Sequence, residues 1–94
     1  MPFTVSLHDF PGLPSDAKLA AEQRFKHALE RELGDDVMPV FRAFQAAADS
    51  SAADLSADDY ALANAWPKAY ELAKTAGFRG LGDADEAYFE VRPA

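Results

Sequence analysis

A proline inside a helical repeat, beside the chain's only tryptophan, limits most strongly how this sequence can fold. Residues 56–77 read SADDYALANAWPKAYELAKTAG. Tyr60, Ala63, Trp66, Tyr70 and Ala73 recur at three- and four-residue steps, which places them on one face of an α-helix. Leu62, Ala69 and Leu72 widen that apolar surface. Ser56 suits the N-cap, with Asp59 where a capping box carries Glu. Asp58 and Asp59 put negative charge at the positive end of the helix dipole. Gly77 suits the C′ position, with Lys74 in the last turn. In a helix interior, proline deletes one hydrogen bond and clashes with the preceding turn, at a cost of about 3 kcal/mol. The apolar phase nevertheless runs through Pro67, from Trp66 to Tyr70. The expectation is one helix kinked at Pro67; the alternative is two helices with Pro67 at N1 of the second.

The rest of the chain is organised around this stretch. At the N-terminal end, Phe3, Val5 and Leu7 alternate with Thr4 and Ser6, the pattern of a half-buried strand. Pro11, Gly12 and Pro14 then force turns, with Phe10 and Leu13 as anchors for the loop. Ser15 opens a long helix as its cap, with Asp16 in the first turn. Leu19, Phe25, Ala28, Leu29 and Leu33 mark its apolar repeat, and Glu22 sits four residues before Lys26 in the favoured ion-pair orientation. Gly34 ends that helix. Asp35 or Asp36 is expected to cap the next one, with Pro39 in its first turn and Val37, Val40, Phe41, Phe44, Ala47 and Ala48 as its buried stripe. So short a link implies a helical hairpin or a sharp corner. Residues 49–54 form a small polar connector. After Gly77, Gly80 and Gly82, a second alternating run sets Ala87, Phe89 and Val91 against Tyr88, Glu90 and Arg92. Pairing residues 3–7 with 88–92 brings the two ends together over the helices. The predicted fold is a single α+β domain, residues 1–94, helix-dominated: three helices, the third kinked, and a two-stranded sheet.

The 94 residues carry 49% hydrophobic and 12% aromatic side chains, enough for a folded core. There is no cysteine, which removes disulfides and thiolate metal sites and fits a reducing compartment. No basic segment followed by an apolar run reads as a signal peptide, and no apolar run reaches the ~20 residues of a membrane span. The expected location is the cytoplasm. The net charge of −7 is concentrated: residues 35–59 hold six carboxylates against Arg42 alone. Such a surface repels phosphate backbones and anionic membranes, so direct nucleic-acid and membrane binding are not expected, whereas a basic protein partner is. The same charge also serves plain solubility.

The candidate chemistries are few. His8 and His27 are the only histidines and stand nineteen residues apart, without a metal-spaced partner. Ser15 and Ser56 are better explained as caps than as nucleophiles, which need a base held nearby. Asp83 and Asp85 begin like a calcium loop, but Ala87 and Tyr88 break the pattern. The G-x-x-G-x-G run at Gly77, Gly80 and Gly82, with Arg79 inside it, offers an anion site but leaves a helix C-terminus instead of entering an N-terminus. No cofactor or metal is expected, and the chain leans away from being an enzyme. The aromatic set of Tyr60, Trp66, Tyr70, Phe78 and Tyr88 serves either a core or a contact face.

The functional expectation is therefore a small acidic protein–protein interaction module of inhibitor or adaptor type. Its candidate partner-binding residues are Trp66, Tyr88, Asp49 and Asp54, with a homo-oligomer left open. The alternative is a small-molecule-binding or catalytic domain with a pocket at the Pro67 kink. A weaker one is a DNA mimic whose carboxylates imitate phosphates.

Overall fold

The alternating segments at the two ends of the sequence pair with each other. In the computed structural model, which describes residues 3–48, 57–82 and 84–93, β1 (Phe3–His8) and β2 (Tyr88–Pro93) form a two-stranded antiparallel sheet. The register sets Val5 opposite Val91, Leu7 opposite Phe89 and His8 opposite Tyr88. Phe3, Leu7, Phe89 and Val91 are buried on the inner face, with Val5 half-buried. Between the strands lie α1 (Ser15–Leu33), a 3-10 turn (Gly34–Asp36), α2 (Val37–Ala48) and α3 (Ala57–Gly77). The architecture is α+β and helix-dominated. Among the described residues, no helix is long and apolar enough to cross a membrane.

α3 is the shared wall of the molecule: it packs along both α1 and α2, which touch each other little. α2 thus turns a corner at the 3-10 turn and does not fold back along α1. The helix runs through Pro67 without interruption, so the reading of two helices does not hold. It buries Ala63, Trp66, Ala69 and Ala73, whereas Tyr60, expected on the same face, is exposed, as are Leu62 and Leu72. Trp66 packs against Phe41 and Phe44 of α2, with ring centres 4.9 and 6.3 Å away, and against Tyr70 at 6.1 Å. Ser56, the expected cap, lies outside the described residues.

Several local expectations change. Ser15 is the first helical residue of α1, and Pro14 holds the cap position without any side-chain cap bond. The proline ring locks φ in the range an N-cap uses, so backbone geometry takes the place of a hydroxyl. Asp35 and Asp36 are wound into the 3-10 turn. Leu19 is 58% exposed, because α1 buries Ala21, Phe25, Ala28 and Leu29; Leu19 is two residues from Ala21, about 200° around the helix. Met38, left off the predicted stripe of α2, is one of its most deeply buried residues, and Ala48 is exposed.

Gly77 is also more than a helix stop. It is the last residue of α3 and is buried; a Cβ there would come within 2.5 Å of the Phe89 ring and 3.3 Å of the Ala21 carbonyl oxygen. Its glycine is required by close packing of α1, α3 and β2, while Gly80, with φ +79°, takes the left-handed turn that leads away. Phe89 fills the space so created and stacks on Phe25, ring centres 4.4 Å apart.

Each outer edge of the small sheet meets a side chain from a helix. The Leu7 N–H donates to Glu22 Oε2 of α1 at 2.7 Å. On the other strand, the Tyr70 hydroxyl of α3 accepts from the Phe89 N–H at 3.2 Å and donates to the Phe89 carbonyl at 3.3 Å. Leu7 and Phe89 are register partners whose backbone groups point outward. Exposed edges of this kind invite pairing with other chains, and here both carry a side-chain partner one residue from the His8–Tyr88 end of the sheet. Glu22 is thus committed to β1 and forms no ion pair with Lys26, whose ammonium sits over the Phe3 ring at 5.2 Å.

Candidate functional site

The four residues singled out for partner binding fall in different places. Trp66 is 6% exposed and belongs to the core cluster. Tyr88 is 43% exposed on the outer face of the sheet, where its ring stacks on His8 with centres 5.2 Å apart. Asp49 and Asp54 lie outside the described residues. Around Tyr88, Glu90 joins the two strands: it meets His8 Nε2 at 2.9 Å and Arg92 at 3.0 Å. The hydrogen bond from Arg92, then that from His8, holds the Glu90 carboxyl below its ordinary value. Glu90 thus bonds both His8 and Arg92 on the outer face of the sheet, beside the exposed Tyr88 ring.

Next to Pro67 there is an open pocket of about 320 Å³ lined by Phe44, Trp66, Pro67, Tyr70 and Glu71. Its floor is the aromatic cluster that fastens α2 to α3. Among the described residues, Glu71 is the one charged group lining it, and the Tyr70 hydroxyl is engaged by Phe89. It lacks the converging polar groups that orient a small-molecule ligand. Among the described residues, no three His, Asp or Glu side chains gather as metal ligands.

A third site arises from the corner between α1 and α2. Because α2 diverges from α1 while α3 spans both, an open groove of about 560 Å³ is left between the three helices. Leu33, Val40, Ala61, Leu62 and Ala65 supply its apolar floor, and Glu32, Asp36 and Asp58 its polar rim. The helical repeat explains the assembly. Asp58, Ala61, Leu62 and Ala65 lie at three- and four-residue steps on one stripe of α3, and Glu32 and Asp36 are four apart across the end of α1. Leu62 is 37% exposed here, an apolar side chain in a groove that has no cationic lining residue among the described ones.

Sequence reasoning reached only part of this groove. It marked residues 35–59 as acidic, but read Asp36 as a cap, Asp58 as a dipole partner and Leu62 as part of a core face. Glu32 is not singled out by the sequence pattern at all. The signal available was the placing of Leu62 two residues beyond Tyr60 and one before Ala63, which sets it beside the buried stripe and not within it. Comparison of the chain with protein-family models, with curated proteins and with solved structures gives no match.

Proposed function

We propose that this protein is a protein–protein interaction module, of inhibitor or adaptor type, that docks a basic, apolar-faced segment of its partner in the groove between α1, α2 and α3. The observation that carries this reading is an apolar floor rimmed only by acids. Apolar side chains of the partner gain by burial against Leu33, Val40 and Leu62. Lys or Arg beside them meet Glu32, Asp36 and Asp58, while an acidic or phosphate-bearing ligand meets repulsion. The net charge of −7 steers such a partner inward, and Asp49 and Asp54 add to that steering. A bend at Pro67 belongs to the same reading: it sets the angle of the groove-lining half of α3 against the half that carries β2.

The test is a photo-crosslinking amino acid at position 62 in the native cell, with the captured peptide identified. The expected product is a segment rich in Lys or Arg with apolar residues at helical or strand spacing. Its yield should fall in Glu32→Gln/Asp36→Asn and fall further with salt. Capture of an acidic segment, or capture indifferent to both the charge change and salt, overturns the reading.

A further inference from the structure

Sixteen acids outnumber nine cationic side chains in this chain. Yet three of its five arginines, Arg24, Arg31 and Arg79, line a single cavity of about 510 Å³ together with His27 and Ala76. Arg24, His27 and Arg31 come from one stripe of α1, three and four residues apart. Ala76 comes from the last turn of α3, and Arg79 from the turn after it. No acid among the described residues lines the cavity. Among the described residues, the two ion pairs both belong to Glu90, so none of these four side chains has a carboxylate at ion-pair distance.

Part of this has a structural explanation. Arg24 Nη2 donates to the carbonyls of Gly77 at 2.9 Å and Arg79 at 3.4 Å, so it closes the C-terminus of α3. That accounts for Arg24 alone. Its Nε is buried without a hydrogen-bond partner, an arrangement that costs free energy in a charged group. His27, Arg31 and Arg79 are exposed, and their side chains bond to none of the described α3 carbonyls. Like charges gathered without counter-charge repel, and an anion between them removes that repulsion.

We infer that this groove binds the phosphate group of a small ligand, as free phosphate or as a phosphomonoester. Guanidinium forks bond carboxylate and phosphate oxygens two at a time. A phosphate, with at least three terminal oxygens, serves several guanidinium groups at once, where a carboxylate has only two oxygens and a halide has none. The negative end of the α3 dipole, which opposes an anion, is expressed by carbonyls that Arg24 already bonds. The cavity volume falls within the ~300–1,000 Å³ of small-ligand sites and leaves room for an organic body beside the phosphate. The net charge of −7 disfavours a long polyanion more than a short one. This inference stands apart from the docking groove, which uses none of these residues.

The experiment is an NMR titration of the labelled full chain at physiological salt, with inorganic phosphate and adenosine monophosphate as separate probes. Saturable shifts are expected at Arg24, His27, Arg31, Ala76 and Arg79, including the Arg24 Nε–H signal. Tighter binding of the nucleotide assigns the site to phosphomonoesters, and tighter binding of inorganic phosphate assigns it to the free ion. Arg31→Gln and Arg79→Gln, both at exposed positions, should each weaken binding by about tenfold or more. Shifts that fail to saturate, shifts scattered over the surface, or a double variant that binds like the parent overturn the inference.

Discussion

The Tyr70 hydroxyl both donates to and accepts from the backbone of Phe89, and so ties β2 to α3. Removing it in Tyr70→Phe leaves two part-buried backbone groups without that partner, an expected loss of about 1–3 kcal/mol in urea unfolding. Burial pushes the Tyr70 phenol above its ordinary value of 10.0; the bond to Phe89 opposes that shift, and Glu71 and Tyr88 add to it. A group whose pKa is raised on folding stabilises fully below its unfolded value and loses that contribution as pH rises through the folded one. The stability difference between parent and Tyr70→Phe should therefore be constant below pH 10 and shrink above it, as read from melting temperatures. Glu90 behaves in the opposite sense. Arg92 and His8 hold it below the ordinary 4.5, so its contribution is present above that pH and is lost as pH falls through its folded value. In Arg92→Ala the Glu90 side-chain carbon should titrate at higher pH than in the parent, and in His8→Ala by a smaller displacement.

α3 carries two sequence features whose meanings the structure separates. Gly77 read as a helix stop, and the stop is there, but the residue is constrained by what surrounds it. Phe89 is held between Phe25 at 4.4 Å and Phe78 at 4.9 Å, so its ring has little room to yield to a methyl group. Gly77→Ala is expected to destabilise by about 1–3 kcal/mol, seen as a lower denaturation midpoint at unchanged slope. Pro67 is exposed and lacks the N–H that the Ala63 carbonyl, four residues earlier, receives in a regular helix. Pro67→Ala should restore that bond and raise stability, and amide exchange over residues 60–75 should slow. The helix itself was legible because its apolar phase survives the proline. Which flank of each helix points outward was less so, as Leu19, Tyr60 and Leu62 show. Periodicity locates a stripe to within about one residue step, or 100°, and neighbouring helices decide which edge of it they cover. The acid-rimmed groove depends on the angle at which α2 leaves α1 at the 3-10 turn, which helical periodicity does not give.

At the scale of the whole molecule, charge counted along the sequence and charge arranged in space differ. The acidic run of residues 35–59 was evident, and Asp36 and Asp58 from it do rim one groove. The basic cavity was not, since Arg24, Arg31 and Arg79 come from stretches where acids outnumber bases and meet only when α1 lies along the end of α3. The sheet was readable for a simpler reason: two alternating segments had only each other to pair with. Deleting residues 1–8 uncovers Phe89 and Val91, whose burial amounts to about 3–6 kcal/mol. That is comparable with the whole stability of a small domain, so the melting temperature should collapse. The same pairing has a consequence for how the chain is made. His8 and Tyr88 are register partners eighty positions apart, so at 5–20 residues per second β1 leaves the ribosome on the order of 4–16 s before β2. α1 follows β1 at once, and Glu22 and Lys26 on it reach Leu7 and Phe3 without any help from β2. The contacts that Glu22 and Lys26 make with Leu7 and Phe3 thus join segments made close together, while the pairing with β2 has to wait for the end of the sequence.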